Sequence, residues 1–295
     1  MNYMRTTLSF ILISAVLSAC KFSRSAEKDL VSGLTTAGKN LTCDDVYLTV
    51  NDERTTRHSF IYGETFFIIF NDIRGFAMDN GNVFPCMEII IANQEGDTLM
   101  RADDLYTEYT EGMNYSNLQL SADLTVAAPL KSKGEYTMIV NIHDKKGEGT
   151  FTTNLDFDVM ENENINVKPS DVTYDEVYLF SQGLNGVITD NRIDYDDNIY
   201  VIIEGLKGFK EENGSVFAGL ELKAVDARNN MVLEYDDLFI DYSETGIALS
   251  DFSSRVSAHF KITGTHFNNP LHCELKVWDK KSNARITVTT DMNLK

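Results

Sequence analysis

The sequence predicts an all-β protein: two tandem antiparallel β-sandwich domains related by internal duplication. Three observations predict it. Apolar and polar residues alternate with a period of two in several segments, which is the pattern of strands with one face buried. Matched turn signals separate those segments. Blocks of sequence also recur in the same order, about one domain length apart. The chain has 295 residues, with 43% hydrophobic and 11% aromatic content, enough to build real cores rather than a disordered acidic tail.

The recurrences carry the domain argument. Asp44-Asp45-Val46-Tyr47-Leu48 returns as Asp175-Glu176-Val177-Tyr178-Leu179. The run from Gly75 to Ile89 (GFAMDNGNVFPCMEI) returns from Gly208 to Leu222 (GFKEENGSVFAGLEL). Asp103-Asp104-Leu105 returns as Asp236-Asp237-Leu238, and Asp144-Lys145-Lys146 as Asp279-Lys280-Lys281. The offset widens from 131 to 135 residues along the chain, as small loop insertions would cause. A unit of this length is a domain with its own core, not a solenoid repeat.

Within each unit the strands follow from the alternation. Phe66, Ile68 and Phe70 mark one strand, matched by Ile199, Val201 and Ile203. Leu118 to Val126 alternates with polar residues, as does Val256 to Ile262. Thr137–Ile142 reads as a strand ending at the Asp144 turn. The closing strand places Phe151, Thr153, Leu155, Phe157 and Val159 on one face, matched by Ile286, Val288, Thr290, Met292 and Leu294. Asn80-Gly81 and Asn213-Gly214 are tight-turn pairs, because both residue types tolerate positive φ. No long window shows a helical stripe. In general form the arrangement resembles immunoglobulin-like and transthyretin-like sandwiches.

The N-terminus reads as an address. Arg5 precedes a short apolar run from Leu8 to Leu17, too short to span a bilayer, and small residues lead to Cys20. Leu17-Ser18-Ala19-Cys20 resembles the lipobox of bacterial lipoproteins. That resemblance implies a signal peptide over 1–19, cleavage before Cys20, and lipidation of its thiol and amino terminus, with acyl chains such as palmitate holding the chain to a membrane. Residues 20–40, polar and without apolar period, are expected to be a flexible tether. Residues 41–160 and 173–295 are the two sandwiches. Residues 161–172, which include Pro169, are the linker. With no acidic run after Cys20, the expected location is the outer membrane, periplasmic face ahead of cell surface.

Charge narrows the partners. The chain carries −19, and losing Arg5 with the signal leaves 25 basic residues against 45 acidic ones, a charge of −20. That balance is a poor match for nucleic acid.

Candidate sites are few. Cys43 and Cys86 lie in a compartment that permits disulfides, and two readings stay open: a bridge between them, or two buried thiols. The acidic loop Asp190, Asp194, Asp196 and Asp197 offers hard oxygens suited to calcium, but lacks the spacing of an EF-hand loop, and equally reads as a solvated strand edge. Tyr106, Tyr109 and Tyr115, with Phe239 and Tyr242 in the second unit, offer rings on which a sugar could stack. None of the five His falls in a metal or catalytic spacing, and no nucleophile, phosphate-loop or dinucleotide motif occurs. No cofactor is expected. The function expected is therefore non-enzymatic: an envelope lipoprotein that binds another protein or scaffolds an envelope or secretion assembly. The alternative is a surface glycan-binding lipoprotein of a polysaccharide-uptake system, with pilin-type and immunity proteins behind it.

Overall fold

The computed structural model describes residues 24–29, 31–116, 118–263 and 267–295. The signal segment and Cys20 lie outside the described residues. The first half contains β1 (Arg24–Lys28), β2 (Thr35–Lys39), β3 (Asp45–Val50), β4 (Glu53–Thr55), β5 (Ser59–Ile61), β6 (Thr65–Asn71), β7 (Asn82–Val83), β8 (Pro85–Asn93), β9 (Thr98–Ala102), β10 (Met113–Asn114), β11 (Gln119–Thr125), β12 (Glu135–Asp144) and β13 (Thr150–Met160). The second contains β14 (Ile165–Ser170), β15 (Glu176–Ser181), β16 (Gly186–Val187), β17 (Arg192–Ile193), β18 (Asn198–Glu204), β19 (Glu211–Glu212), β20 (Ser215–Val216), β21 (Ala218–Val225), β22 (Met231–Tyr235), β23 (Ile247–Ala248), β24 (Arg255–Lys261), β25 (Leu271–Asp279) and β26 (Arg285–Leu294).

These strands form two antiparallel sandwiches. In the first, a sheet ordered β1-β2-β13-β12-β8-β9 faces one ordered β11-β6-β3-β4. Phe66 of β6 meets Phe157 of β13 edge to face at 5.5 Å, so rings from opposing sheets fill one core. In the second, β14-β26-β25-β21-β22 faces β16-β15-β18-β24 around a separate core. The strand orders correspond: β13-β12-β8-β9 matches β26-β25-β21-β22, and β4-β3-β6-β11 matches β16-β15-β18-β24. Even the irregularities correspond. The register of β8 with β9 slips between Ile91 and Ala92, and that of β21 with β22 between Ala224 and Val225. The closing strand takes a short parallel partner in both halves, β5 on β13 and β17 on β26.

The alternation accounts for this directly. β11 and β24 share one strict exposed-buried pattern, and every second residue of β13 is buried. Asn80 and Gly81 both have positive φ, as do Asn213 and Gly214, so these pairs form the expected turns.

Two segments differ from expectation. The described part of 20–40 is not a free tether: β1 and β2 form a hairpin, and β2 pairs with β13 over five residues. Leu34 and Leu41, at 1% and 0% exposure, anchor it in the first core. The segment lacks an apolar period because an edge strand held mainly by backbone bonds does not need one. The 161–172 linker likewise contains β14, which pairs with β26 over six residues. Pro169 fits there because β14 is an edge strand, with a side where no N–H is needed. One short helix was also not expected: α1 (Leu249–Ser254), which buries Phe252 against Phe209 at a ring separation of 4.7 Å.

Candidate functional site

The recurrent polar residues converge on one clasp in each sandwich. At the end of β12, Asp144 accepts hydrogen bonds from the N–H of Ala77 at 2.6 Å and of Lys146 at 2.9 Å. The adjacent Lys145 reaches Asp104 at 2.6 Å. Asp104 in turn accepts from the N–H groups of Met87 and Tyr106. The Lys146 ammonium lies 4.7 Å over the Phe84 ring. The second sandwich repeats each bond. Asp279 accepts from Lys210 N–H at 2.7 Å and Lys281 N–H at 2.8 Å, and Lys280 meets Asp237 at 2.7 Å. Asp237 accepts from Leu220 and Phe239, and Lys281 lies 4.7 Å over Phe217. Burial alone would raise the carboxyls of Asp104 and Asp237. The lysine partner and the two backbone donors outweigh it, and both are held below the usual range. Asp104 and Asp237 thus tie the loop after β9 or β22 to the end of β12 or β25.

The sequence-derived candidates are spread over the surface. Tyr106 donates to Ser121 O and accepts from Ser121 N–H, and its ring meets Tyr109 edge to face at 5.7 Å. Phe239 and Tyr242 repeat that arrangement at 6.3 Å and 86°. Tyr115 packs against the first core. These rings cross one another rather than forming a flat platform. The four acidic-loop carboxylates are each engaged separately: Asp190 with Arg192, Asp194 with Lys295, Asp196 with Lys261, and Asp197 with Ser181 and the Gly183 N–H. They do not converge on a common point. Cys43 and Cys86 are free thiols, each directed at backbone carbonyls of its own neighbourhood, Asn71 O for Cys43 and Asp103 O for Cys86. The bridge left open by the sequence is not formed. Burial raises both thiols to about 11, and Cys273, fully inside the second core, to about 12.

Two surface features were not read from the sequence. The first is the junction between the sandwiches. Glu176, buried, accepts from the N–H and hydroxyl of Ser132 across the junction at 2.7 and 2.6 Å. Glu204 accepts from Tyr178 at 2.7 Å and from Tyr62 of the first sandwich at 3.2 Å, with Arg255 at 3.3 Å. Desolvation pushes Glu176 above the usual carboxylate range and the Tyr62 hydroxyl up to about 12. Beside these groups opens a groove of about 370 Å³, lined by Tyr62, Tyr178, Phe180, Asn185, Glu204 and Arg255. Phe180 touches Tyr200, and Tyr200 stacks on His259, so a row of rings continues across β15, β18 and β24. Comparing the halves residue by residue flags this spot, since Glu204 stands where the first unit has Asn71.

The second feature is the free edge of the larger sheet. β9 and β22 are matched edge strands, but their exposed residues differ. Thr98, Arg101, Ala102 and Thr107 in the first unit correspond to Met231, Glu234, Tyr235 and Ile240 in the second.

No family model and no curated protein matches the sequence. Among solved structures, the chain is similar to the chicken CNTN1 FN1–FN3 domains at 9% identity and a TM-score of 0.24, covering 85% of this chain and 64% of that one. It therefore spans less than two thirds of that structure. It is also similar to a DUF3823 family protein from Bacteroides ovatus at 9% identity and a TM-score of 0.21, covering 75% of this chain and 93% of that one. Likeness at this level carries no argument about function, and the sandwich architecture rests on the strand pairing itself.

Proposed function

We propose that this chain is a non-enzymatic cell-envelope lipoprotein, built from a duplicated sandwich unit, that binds another protein. The observation that carries the reading is the clasp. The carboxylates and lysines that recur in the sequence, Asp104, Asp144 and Lys145 with Asp237, Asp279 and Lys280, are committed to the same fold bonds in both halves. What remains for function is surface: two sheet edges and the groove at the junction. Cys20, in the lipobox-like tetrad, supplies the anchor. The experiment is chemical crosslinking on intact membranes followed by purification of the lipoprotein. Recovery of a stoichiometric envelope protein supports the proposal, and recovery of the lipoprotein alone counts against it.

A second reading, glycan binding, is favoured by one observation only. The junction groove combines the Tyr178 and Phe180 rings with Asn185, Glu204 and Arg255, a mixture of flat apolar faces and hydrogen-bonding groups suited to sugars. Affinity electrophoresis against a panel of neutral polysaccharides tests it. Retardation abolished by Phe180→Ala supports it, and unretarded migration in every gel removes it.

A further inference from the structure

The matched edges provide an internal control. β9 and β22 have one backbone register, one bulge and one clasp behind them, so the fold asks the same of both. β9 meets that requirement with polar residues, including Arg101 paired to Glu88 and Asp103. This is how a free edge is ordinarily protected from pairing with other chains. β22 and the turn after it carry Met231, Tyr235 and Ile240, exposed at 52%, 48% and 62%, where the first unit has Thr98, Ala102 and Thr107; the neighbouring Leu238 and Tyr242 are exposed in both units, as Leu105 and Tyr109 in the first. The exposure of Met231, Tyr235 and Ile240 is therefore not a demand of the fold. Among the described strands, β22 pairs only with β21, and its outer backbone side has no strand partner.

The charge around the Tyr235 and Ile240 end of this edge is mainly acidic. Glu234, Asp236, Asp241 and Glu244 surround the apolar residues. Lys223 is committed to Glu221 and Glu234, and Lys280 to Asp237, while Arg228, exposed in the β21–β22 turn, lies at the Met231 end of the strand, away from Asp236, Asp241 and Glu244 in sequence. No ion pair among the described residues engages Asp236, Asp241 or Glu244. At the position of Arg101 in β9, β22 has Glu234, so the charge at that position is reversed. An acidic rim around exposed apolar residues selects against a second copy of a chain carrying −19 and selects for a basic partner.

We propose that β22 is a docking edge for an extended, apolar segment of another protein flanked by Lys or Arg, which adds as a strand beside β22 and seats its side chains on Tyr235 and Ile240. Backbone bonds supply the affinity of such an addition, and the apolar contacts and flanking charges supply its specificity. The proposal rests on the protein-binding reading above and adds to it the site and the chemistry of the partner.

The test uses the detergent-solubilised lipoprotein and a fluorescent probe peptide of alternating valine and threonine with a pair of lysines at each end. Anisotropy should show binding that is about tenfold or more tighter than that of the same peptide ended in glutamates. The variant M231T/Y235A/I240T takes its residues from the matched positions of the first unit, so it should fold with an unchanged melting curve and lose about tenfold or more in affinity. Equal binding of the two probes, or unchanged binding by that variant, would overturn the proposal. So would a concentration-dependent dimer, by light scattering, that the variant abolishes, since the occupant would then be a second copy. The two readings fail separately. If the variant still recovers the wild-type partner after crosslinking, the edge is wrong and protein binding stands. If wild type recovers no partner, protein binding itself is wrong.

Discussion

At Gly219 of β21, a Cβ would collide with the indole of Trp278, the residue opposite it on β25. The first sandwich fills the matched space differently, with Cys86 opposite His143. A smallest-with-largest pair has been exchanged for two of middle size, which keeps the local volume. Gly219→Ala should therefore cost about 1–3 kcal/mol in denaturant unfolding, and adding Trp278→His should recover part of it. The clasp makes a pH prediction. Asp104 and Asp237 have carboxyls held below 3.8, so their contribution is present above that value and is lost as pH falls through the lowered one. Asp104→Asn with Asp237→Asn should lower stability at neutral pH and flatten its decline in acid, measured by melting temperature against pH. The clasp residues were legible in the sequence as recurrences, but not their bonds, because Asp144 finds Ala77 across 67 residues of chain. The junction was legible only as one departure between the halves, Glu204 in place of Asn71. Glu176 and Tyr178 do fall in a recurrent block, but their partners across the junction do not follow from it: Tyr62 and Glu204 meet only because two sandwiches pack together.

The strands that carry alternation could be read to within a residue or two, since burial on one face writes a period of two into β11, β13, β24 and β26. The elements that escaped were those stabilised by backbone pairing at an edge. β1 is exposed along its whole length and has no pattern to find, and in β14 the alternation is limited to Ile165 and Val167 before the proline. The hairpin of β1 and β2 is nonetheless part of the first core through Leu34, at 1% exposure. Leu34→Ala should destabilise the first sandwich by about 2–5 kcal/mol in chemical denaturation. A true tether would tolerate it with no change in midpoint.

The hairpin alters how the molecule stands on its anchor. If Cys20 carries lipid, as proposed, only four residue steps separate it from Arg24 of β1, a reach of at most about 15 Å. The first sandwich is then held close to the membrane, and the second, with its docking edge, projects from the first at an angle fixed by the junction. Glu176 makes that junction sensitive to acid in a defined sense. Its carboxyl lies above the ordinary 4.5, so the native state holds the proton longer than the unfolded chain does. This group's effect on stability is therefore unfavourable above the raised value, and the penalty disappears as pH falls below 4.5. Glu176→Gln should remove that component from the pH profile of unfolding while keeping one Ser132 contact.

The claim that the chain is an anchored binding protein stands or falls most directly on crosslinking in intact cells, comparing wild type with Cys20→Ala. The account predicts that wild type fractionates with membranes and recovers one envelope protein in near-equal amount, and that Cys20→Ala leaves the membrane fraction. A wild-type chain recovered alone, or a Cys20→Ala chain still held in the membrane, would contradict it.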